Sequence, residues 1–193
     1  MNRPQQLVIA SKNPDKIAEI EAVLADTDWK VQVVRDRDWD EVEETGSTLE
    51  ENALLKARTV AQATKMPALA DDTGLEVAAL GGVPGVHTAR YAGEGATYAD
   101  NVRKLLTELD GIDDRRATFR TVVALATPAK EEVVAEGQLQ GEIATEPRGG
   151  GGFGYDPVFA VGARTLAEMD LGEKNALSHR ARALRALAEE LTS

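Results

Sequence analysis

Short apolar segments that suit β-strands alternate along this chain with longer segments whose apolar residues recur at helical spacing. The strand-like segments are residues 7–10, 31–34, 68–70, 118–126 and 132–140. Helical patterns begin near residues 14, 47 and 97, and a last helix closes the chain. Because strands and helices occur in mixed order, the sequence predicts an α/β fold built on a mixed sheet.

Two local patterns predict where helices begin. Asn13 can accept hydrogen bonds from a first turn, and Pro14 suits the first helical position. Ser47 with Glu50 matches a capping box, which predicts the start of a long helix. Pro67 is expected to end that helix.

The composition excludes several classes of site. The chain has 22 basic and 33 acidic residues and a net charge of −11, which argues against a nucleic-acid polymer as partner. It has no cysteine and only two histidines, which excludes disulfides and thiolate chemistry and argues against a multi-histidine metal centre. No segment approaches the roughly 20 apolar residues that span a bilayer, so we expect a cytoplasmic protein without a membrane partner.

The segment 11–16 joins the first predicted strand to the first predicted helix. A helix N-terminus offers N–H donors and the positive end of the helix dipole, and Lys16 adds a full charge, so this segment can bind an anion. Asn52 and Lys56 lie four residues apart and could also face an anion. An ordinary capped helix and a solvated polar face remain the alternatives. The chain lacks a Walker-type glycine loop, which argues against a P-loop enzyme.

Four carboxylates, Glu43, Glu44, Asp71 and Asp72, are candidate ligands for Mg²⁺, which takes oxygen donors together with water and substrate phosphates. If the strand at 68–70 continues, Asp71 and Asp72 point to opposite faces, and one of them is expected to reach a cleft. A simple turn before Thr73 and Gly74 is the alternative.

Residues 149–157 combine four consecutive glycines with Phe153, Tyr155 and Asp156. Such a segment allows a close approach of backbone to ligand and adds flat faces and an acceptor. A mobile surface loop is the alternative. Lys174, Ser178, His179 and Arg180 lie near the start of the last helix. His179 and Arg180 could contact the acceptor edge of a ligand, or the group could form a charged first turn capped by Ser178.

In combination and order, these motifs resemble the inosine triphosphate pyrophosphatases, which hydrolyse inosine and xanthosine triphosphates and their deoxy forms. The most specific stretches are Gly152-Phe153-Gly154-Tyr155-Asp156-Pro157 and Glu173-Lys174-Asn175-Ala176-Leu177-Ser178-His179-Arg180. Residues 11–16, 43–46, 51–57, 70–75, 80–85 and 89–91 also match. The resemblance implies one domain over residues 1–193, with an elongated mixed sheet and flanking helices that form two lobes around a central cleft.

The resemblance also implies roles for individual residues. Glu43 and Asp72 would bind Mg²⁺, and Asp72 would accept a proton as the catalytic residue. These two roles compete, since a carboxylate bound to a cation is a weaker base. The triphosphate would bind to Ser11, Lys12, Asn13, Pro14, Asp15 and Lys16, helped by Lys56. The substrate would contact Thr73, and a purine pocket would consist of Phe153, Gly154, Tyr155, Asp156, Lys174, His179 and Arg180.

Within that pocket, the aromatic faces would supply affinity and Arg180 would select oxygen at the purine edge, because hypoxanthine and xanthine present O6 and N7 as acceptors. Lys12 stands where many relatives have a small residue, which adds charge near the phosphates. The resemblance further implies a homodimer that acts on a small-molecule purine nucleotide. Two other functions stay open: a Maf-type pyrophosphatase for other modified nucleotides, and a nucleotide-binding module without turnover.

Overall fold

The computed structural model describes residues 1–191, in which strands and helices follow each other in mixed order. The helices are α1 (Pro14–Ala25), α2 (Leu49–Thr64), α3 (Tyr98–Glu108), α4 (Leu171–Leu177) and α5 (His179–Glu190). The strands are β1 (Gln6–Ile9), β2 (Gln32–Val33), β3 (Ala68–Val77), β4 (Pro84–Gly85), β5 (Arg116–Ala126), β6 (Glu132–Ile143), β7 (Phe159–Val161) and β8 (Arg164–Thr165). No helix within residues 1–191 is both long and apolar enough to cross a membrane.

The strands form one mixed sheet in the order β2-β1-β3-β5-β6-β7-β8, and β4 pairs with β3. β1 runs parallel to both β2 and β3, with Val8 opposite Ala68 and Ile9 opposite Leu69. β3 and β4, β6 and β7, and β7 and β8 are antiparallel pairs. The predicted α/β class with a mixed sheet is therefore confirmed. The single domain over residues 1–193 and the cleft between two lobes stay predictions.

The chain divides into two compact units, which we call the first and second unit. The first unit comprises Met1–Asp72, Thr121–Gly137 and the chain from Ser178 onward. In its core α1 packs against α5, and the largest buried side chains include Leu7, Ile20 and Leu184. Trp29 is buried in this core, and its Nε1 donates to the Pro4 carbonyl at 2.9 Å, as expected of a packing residue.

The second unit comprises Thr73–Arg120 and Gln138–Leu177. Leu75, Leu105 and Leu166 lie in its core, together with the rings of Phe119 and Phe159, whose centroids are 4.5 Å apart. Burial of these apolar side chains is the main driving force for folding of the unit.

One local prediction about helix α2 needs correction, and an alternative left open at strand β3 is decided. The capping box of α2 is formed by Thr48 and Glu51, one residue later than the predicted pair Ser47 and Glu50. The Glu51 carboxylate accepts hydrogen bonds from the backbone of both Ser47 and Thr48, so the first helical turn begins after Thr48. β3 continues through the segment 71–74 as far as Val77, so the turn considered there does not form. The Asn13 cap and Pro14 at the start of α1 are confirmed.

Candidate active site

The first unit holds a group of charged and polar side chains around the two aspartates of β3, which we call the charge cluster. Strand alternation turns Asp71 and Asp72 to opposite faces, so each meets a different set of helices. Asp71 contacts residues of α1 and α5, and Asp72 contacts residues of α2. The members of the charge cluster are Lys16, Glu19, Glu44, Asn52, Lys56, Asp71, Asp72 and Arg180.

On the Asp71 side, three elements bring together two cations and two carboxylates. Nε and Nη2 of Arg180 lie 3.2 and 3.1 Å from Asp71 Oδ2, and Lys16 Nζ lies 3.4 Å from the same oxygen. Arg180 Nη1 also donates to Glu19. Asp71 is 2% exposed and Arg180 3% exposed. Burial opposes ionisation of Asp71, but Lys16 and Arg180 outweigh it and hold the pKa of Asp71 well below its usual range.

On the Asp72 side, the contacts come from α2 and from the segment before it. Asn52 Nδ2 and Lys56 Nζ each donate to Asp72 at 3.2 Å, and Lys56 also donates to Glu44 at 2.6 Å. Burial raises the pKa of Asp72, partly opposed by Lys56 and reinforced by Glu44. Asp72 is therefore a more basic carboxylate than its neighbour, which suits a group that accepts a proton or binds a cation.

Gly46 and Asn52 fix the segment that carries Glu44. The Gly46 N–H donates to Asn52 Oδ1 at 2.8 Å, while the amide nitrogen of Asn52 reaches Asp72. A Cβ at Gly46 would lie 2.6 Å from Asn52 Oδ1, so this approach requires glycine. The sequence left open whether Asn52 faces an anion, and its carboxamide in fact links Gly46 to Asp72.

The oxygen donors at this place fit a hard divalent cation. Asp72 and Glu44 both bind the Lys56 ammonium, which shows two carboxylates converging on one positive charge. Mg²⁺ needs one or two carboxylates, with phosphates and water as the other ligands. No group of three or more histidine or carboxylate side chains in residues 1–191 is arranged to hold a metal. Glu43, the predicted ligand, is exposed, and the neighbouring Glu44 is the residue that contacts Lys56.

Side chains of the loop before α1 accept hydrogen bonds from the backbone of the loop and of the first helical turn. Asn13 Oδ1 accepts the N–H groups of Asp15 and Lys16 at 2.9 and 3.4 Å, and Ser11 Oγ accepts that of Asn13 at 3.2 Å. Lys12 is exposed, pairs with Asp38 at 3.2 Å, and lies 4.3 Å from the ring centroid of Trp39. Because the cap already binds the N–H donors, the charge of Lys16 is the main attraction for an anion at this helix end.

In the second unit, residues 149–157 form a loop that we call the glycine loop. Asp156 Oδ2 accepts the Phe153 N–H at 2.8 Å and binds Lys174 Nζ at 2.5 Å. The Lys174 ammonium also lies 4.9 Å from the Phe153 ring centroid. Gly152 has a φ of +66°, and a Cβ there would overlap Asp156 Oδ2. The glycine therefore lets the loop turn back, so that one carboxylate binds both its backbone and Lys174.

Tyr155 belongs to the core of the second unit. Its side chain is buried, and the hydroxyl donates to the Thr88 carbonyl at 3.0 Å. Burial, and then the neighbouring Tyr91, raise the pKa of Tyr155 above its usual value. The ring therefore serves packing, and a contact of Tyr155 with a purine could involve only its backbone.

The residues predicted for the purine pocket belong to both units. Phe153, Asp156 and Lys174 contact one another in the second unit, to which Gly154 and the half-buried Thr73 also belong. His179 and Arg180 belong to the first unit, where His179 Nδ1 and Thr121 Oγ1 form a buried hydrogen bond of 2.6 Å. Arg180 binds two carboxylates there, and its role at a purine edge stays a prediction.

Three residues near these groups were missed or left unassigned by the sequence interpretation. The sequence offered Glu44 only as a neighbour of Glu43, and the contact that favours Glu44 over Glu43 is the one with Lys56. Thr121 lies in a strand pattern that indicated packing alone. Tyr98, whose ring contacts Phe153, is the first residue of α3 and carried no motif.

Comparison with known proteins gives concordant matches over nearly the whole chain. The model of the Ham1 family matches residues 7–190. A dITP/XTP pyrophosphatase of Bacillus licheniformis is 47% identical over 189 residues, covering 95% of this chain and 96% of the relative. The solved structure of a HAM1 protein from Coxiella burnetii has a TM-score of 0.82 and 44% identity, covering 97% of this chain and 98% of the other.

A second solved structure is a nucleoside-triphosphatase, also named dITP/XTP pyrophosphatase, from Mycobacterium abscessus. It has a TM-score of 0.73 and 44% identity and covers 94% of this chain and 97% of its own. The similarity therefore extends over both units in sequence and in fold.

Proposed function

Because the chain belongs to the Ham1 family, we infer that it is a pyrophosphatase for deaminated purine nucleoside triphosphates such as ITP, dITP and XTP. Water attacks the α-phosphorus, the bond to the bridging oxygen breaks, and the products are the nucleoside monophosphate and pyrophosphate. The structural observation that carries the proposal is the charge cluster, in which Lys16, Lys56 and Asp72 gather around the middle of β3.

We propose that the polyphosphate binds to the cationic part of the charge cluster. Lys16 follows the cap of α1, and Lys56 lies beside Asp72, so both can compensate phosphate charge. Ser11, Lys12, Asn13, Pro14 and Asp15 would then line the approach to Lys16. Lys12 would exchange its exposed pair with Asp38 for a phosphate, since such exposed ion pairs contribute little to stability.

We propose Mg²⁺ as the cofactor, held by Asp72 and a glutamate of the segment 43–46. A bound Mg²⁺ would supply positive charge against the phosphates and lower the pKa of water. Glu44 is the better placed glutamate, because Lys56 joins it to Asp72, although the family resemblance pointed to Glu43. Asp72, with its raised pKa, would accept the proton of the attacking water or orient that water.

For base recognition, we propose that the purine stacks on Phe153. Lys174 would donate to O6 or N7, which are acceptors in hypoxanthine and xanthine, whereas adenine places an amino donor at position 6. Lys174 is suited to this role because Asp156 fixes its ammonium beside the ring. His179 and Arg180 would contribute to base recognition indirectly. His179 would do so through its hydrogen bond to Thr121, and Arg180 through its ion pairs with Asp71 and Glu19.

We also propose a homodimer in the cytoplasm as the working form. The exposed Val83, in the apolar segment around Leu80 to Pro84, is compatible with a surface that a second copy covers.

A substrate panel tests the proposed function directly. We expect pyrophosphate release from ITP, dITP and XTP with a kcat/KM at least about a hundredfold above that for ATP, because a hydrogen-bonded site rejects an analogue that leaves its groups unpaired. Chelation of Mg²⁺ should abolish release. A preference for modified pyrimidine nucleotides would favour the Maf-type alternative, and binding without release would favour the non-catalytic module.

A matched pair of substitutions identifies the second metal ligand. We expect Glu44→Gln to raise the Mg²⁺ concentration needed for half-maximal rate roughly tenfold or more, because it removes a carboxylate charge next to Asp72. Glu43→Gln makes the same chemical change one residue earlier, at an exposed position, and should shift that concentration less than about twofold. Titration of the rate with Mg²⁺ measures both. A larger shift in the required Mg²⁺ concentration for Glu43→Gln than for Glu44→Gln would identify Glu43 as the ligand.

A further inference from the structure

Tyr98 and Phe153 form an aromatic pair at the edge of the glycine loop. Their ring centroids are 5.9 Å apart and the planes are tilted by 41°. This separation lies within the range in which aromatic rings attract one another beyond their burial. Tyr98 is 44% exposed, whereas Val102 and Leu105 of the same helix are buried.

Phe153 has little local support for its ring. Its neighbours in the chain, Gly152 and Gly154, have no side chains, and both adopt a positive φ. The bond from the Phe153 N–H to Asp156 fixes the backbone but leaves rotation about the side-chain bonds. Contacts from other elements must therefore help to set the orientation of the ring, and two of them are the Lys174 ammonium and the Tyr98 ring.

The helix that carries Tyr98 is firmly anchored at this end. Thr97 and Asp100 form a capping box around the first turn of α3. Asn101 is buried, accepts the Ala92 N–H at 2.7 Å and donates to the Ala89 carbonyl at 3.0 Å. Leu105 packs in the core of the second unit. Tyr98 is thus a ring on a fixed support beside a ring on a glycine-rich loop.

The two rings also share a depression of about 550 Å³ in the second unit. Its walls come from one side of α3, including Val102 and Leu106, and from the glycines 150–152. The Tyr98 ring lies on the helix side of this depression and Phe153 on the loop side, so removal of the Tyr98 ring would open space beside the Phe153 ring.

We propose that Tyr98 is a positioning residue for Phe153. It holds the phenyl ring in the orientation in which the purine stacks, so that less freedom is lost when the nucleotide binds. This inference rests on the proposed function, in which Phe153 is the stacking face. Its predicted action is through ring contact, and the tyrosine hydroxyl is not required.

Steady-state kinetics with ITP and Mg²⁺ test the proposal. We expect Tyr98→Ala to raise KM about twofold to tenfold with kcat within twofold of wild type, because one aromatic contact is lost and the phosphate-binding groups are untouched. Tyr98→Phe keeps the ring and should restore KM. Leu171→Ala removes another exposed apolar side chain of the second unit, 53% exposed, and should leave both constants unchanged.

A double-substitution cycle separates action through Phe153 from direct contact with the substrate. In a Phe153→Ala background, Tyr98→Ala should have no further effect on KM. Two outcomes would overturn the role of Tyr98 while leaving Phe153 as the stacking face. The first is additive effects of the two substitutions on KM, and the second is an unchanged KM in Tyr98→Ala while Phe153→Ala raises KM. A wild-type KM in Phe153→Ala would refute the stacking face itself, and the role of Tyr98 with it.

Discussion

Replacing Asp72 with asparagine is expected to lower kcat for ITP hydrolysis about 10²–10⁴-fold, the range associated with loss of a catalytic proton acceptor. The amide has nearly the same shape but can neither accept the proton of the attacking water nor supply charge to a divalent cation. Burial already raises the pKa of Asp72, so the protein loses little folding energy when this charge is removed. Pyrophosphate release at saturating Mg²⁺ measures the loss, and thermal unfolding checks the fold.

The adjacent residue provides the control, because Asp71→Asn is the same chemical change one residue earlier in β3. Lys16 and Arg180 hold the pKa of Asp71 low, so its ionised form stabilises the fold, and the amide should lower the unfolding temperature more than Asp72→Asn does. Asp72→Asn should therefore impair mainly catalysis and Asp71→Asn mainly stability. Near wild-type turnover in Asp72→Asn at saturating Mg²⁺ would contradict the assigned role.

The sequence predicted those parts of the fold that depend on neighbouring residues. The cap of α1 follows from Asn13 and Pro14 alone, and the strand patterns near residues 118–126 and 132–140 correspond to β5 and β6. The start of α2 was placed one residue early because the order Ser47-Thr48 and Glu50-Glu51 offers two equivalent capping boxes. The choice between them depends on the burial of Leu49 and Asn52, which local sequence does not reveal.

The parts that could not be predicted depend on residues distant in the chain. β3 continues beyond Asp72 because Leu75 and Glu76 pair with β4, and a pattern of two aspartates before Thr-Gly equally suits a turn. An arginine in the first turn of a last helix is usually solvated, whereas Arg180 is buried by partners 109 and 161 residues away. The site residues implied by the family resemblance stay a prediction, and which of them contact one another could be read only from the fold.

Replacing Arg180 with alanine is expected to destabilise the protein by about 3–5 kcal/mol, because Asp71 and Glu19 would remain buried without the guanidinium that binds both. In a chain of this length, that loss corresponds to a fall of about 6–20 °C in the unfolding temperature. The role that the resemblance implies for Arg180, selection of oxygen at the purine edge, instead predicts that Arg180→Ala mainly lowers base selectivity. Thermal unfolding in the absence of nucleotide separates the two, since selectivity makes no contribution there.

Further variants show whether the loss of stability in Arg180→Ala comes from the unpaired carboxylates. Arg182→Ala makes the same substitution at an exposed position of α5 and should change the stability by less than about 0.5 kcal/mol. Combining Arg180→Met with Asp71→Asn and Glu19→Gln removes the guanidinium together with the two carboxylates that it binds, while Lys16 remains charged. This triple variant should be clearly more stable than Arg180→Met alone, since a buried ion pair replaced as a whole costs far less than one broken. If Arg180→Ala unfolds at the wild-type temperature but hydrolyses ATP as readily as ITP, Arg180 contacts the base and its ion pairs with Asp71 and Glu19 are dispensable. If the triple variant is no more stable than Arg180→Met alone, the carboxylates left behind do not cause the loss, and the difference between Arg180→Ala and Arg180→Met then measures packing of the arginine stem.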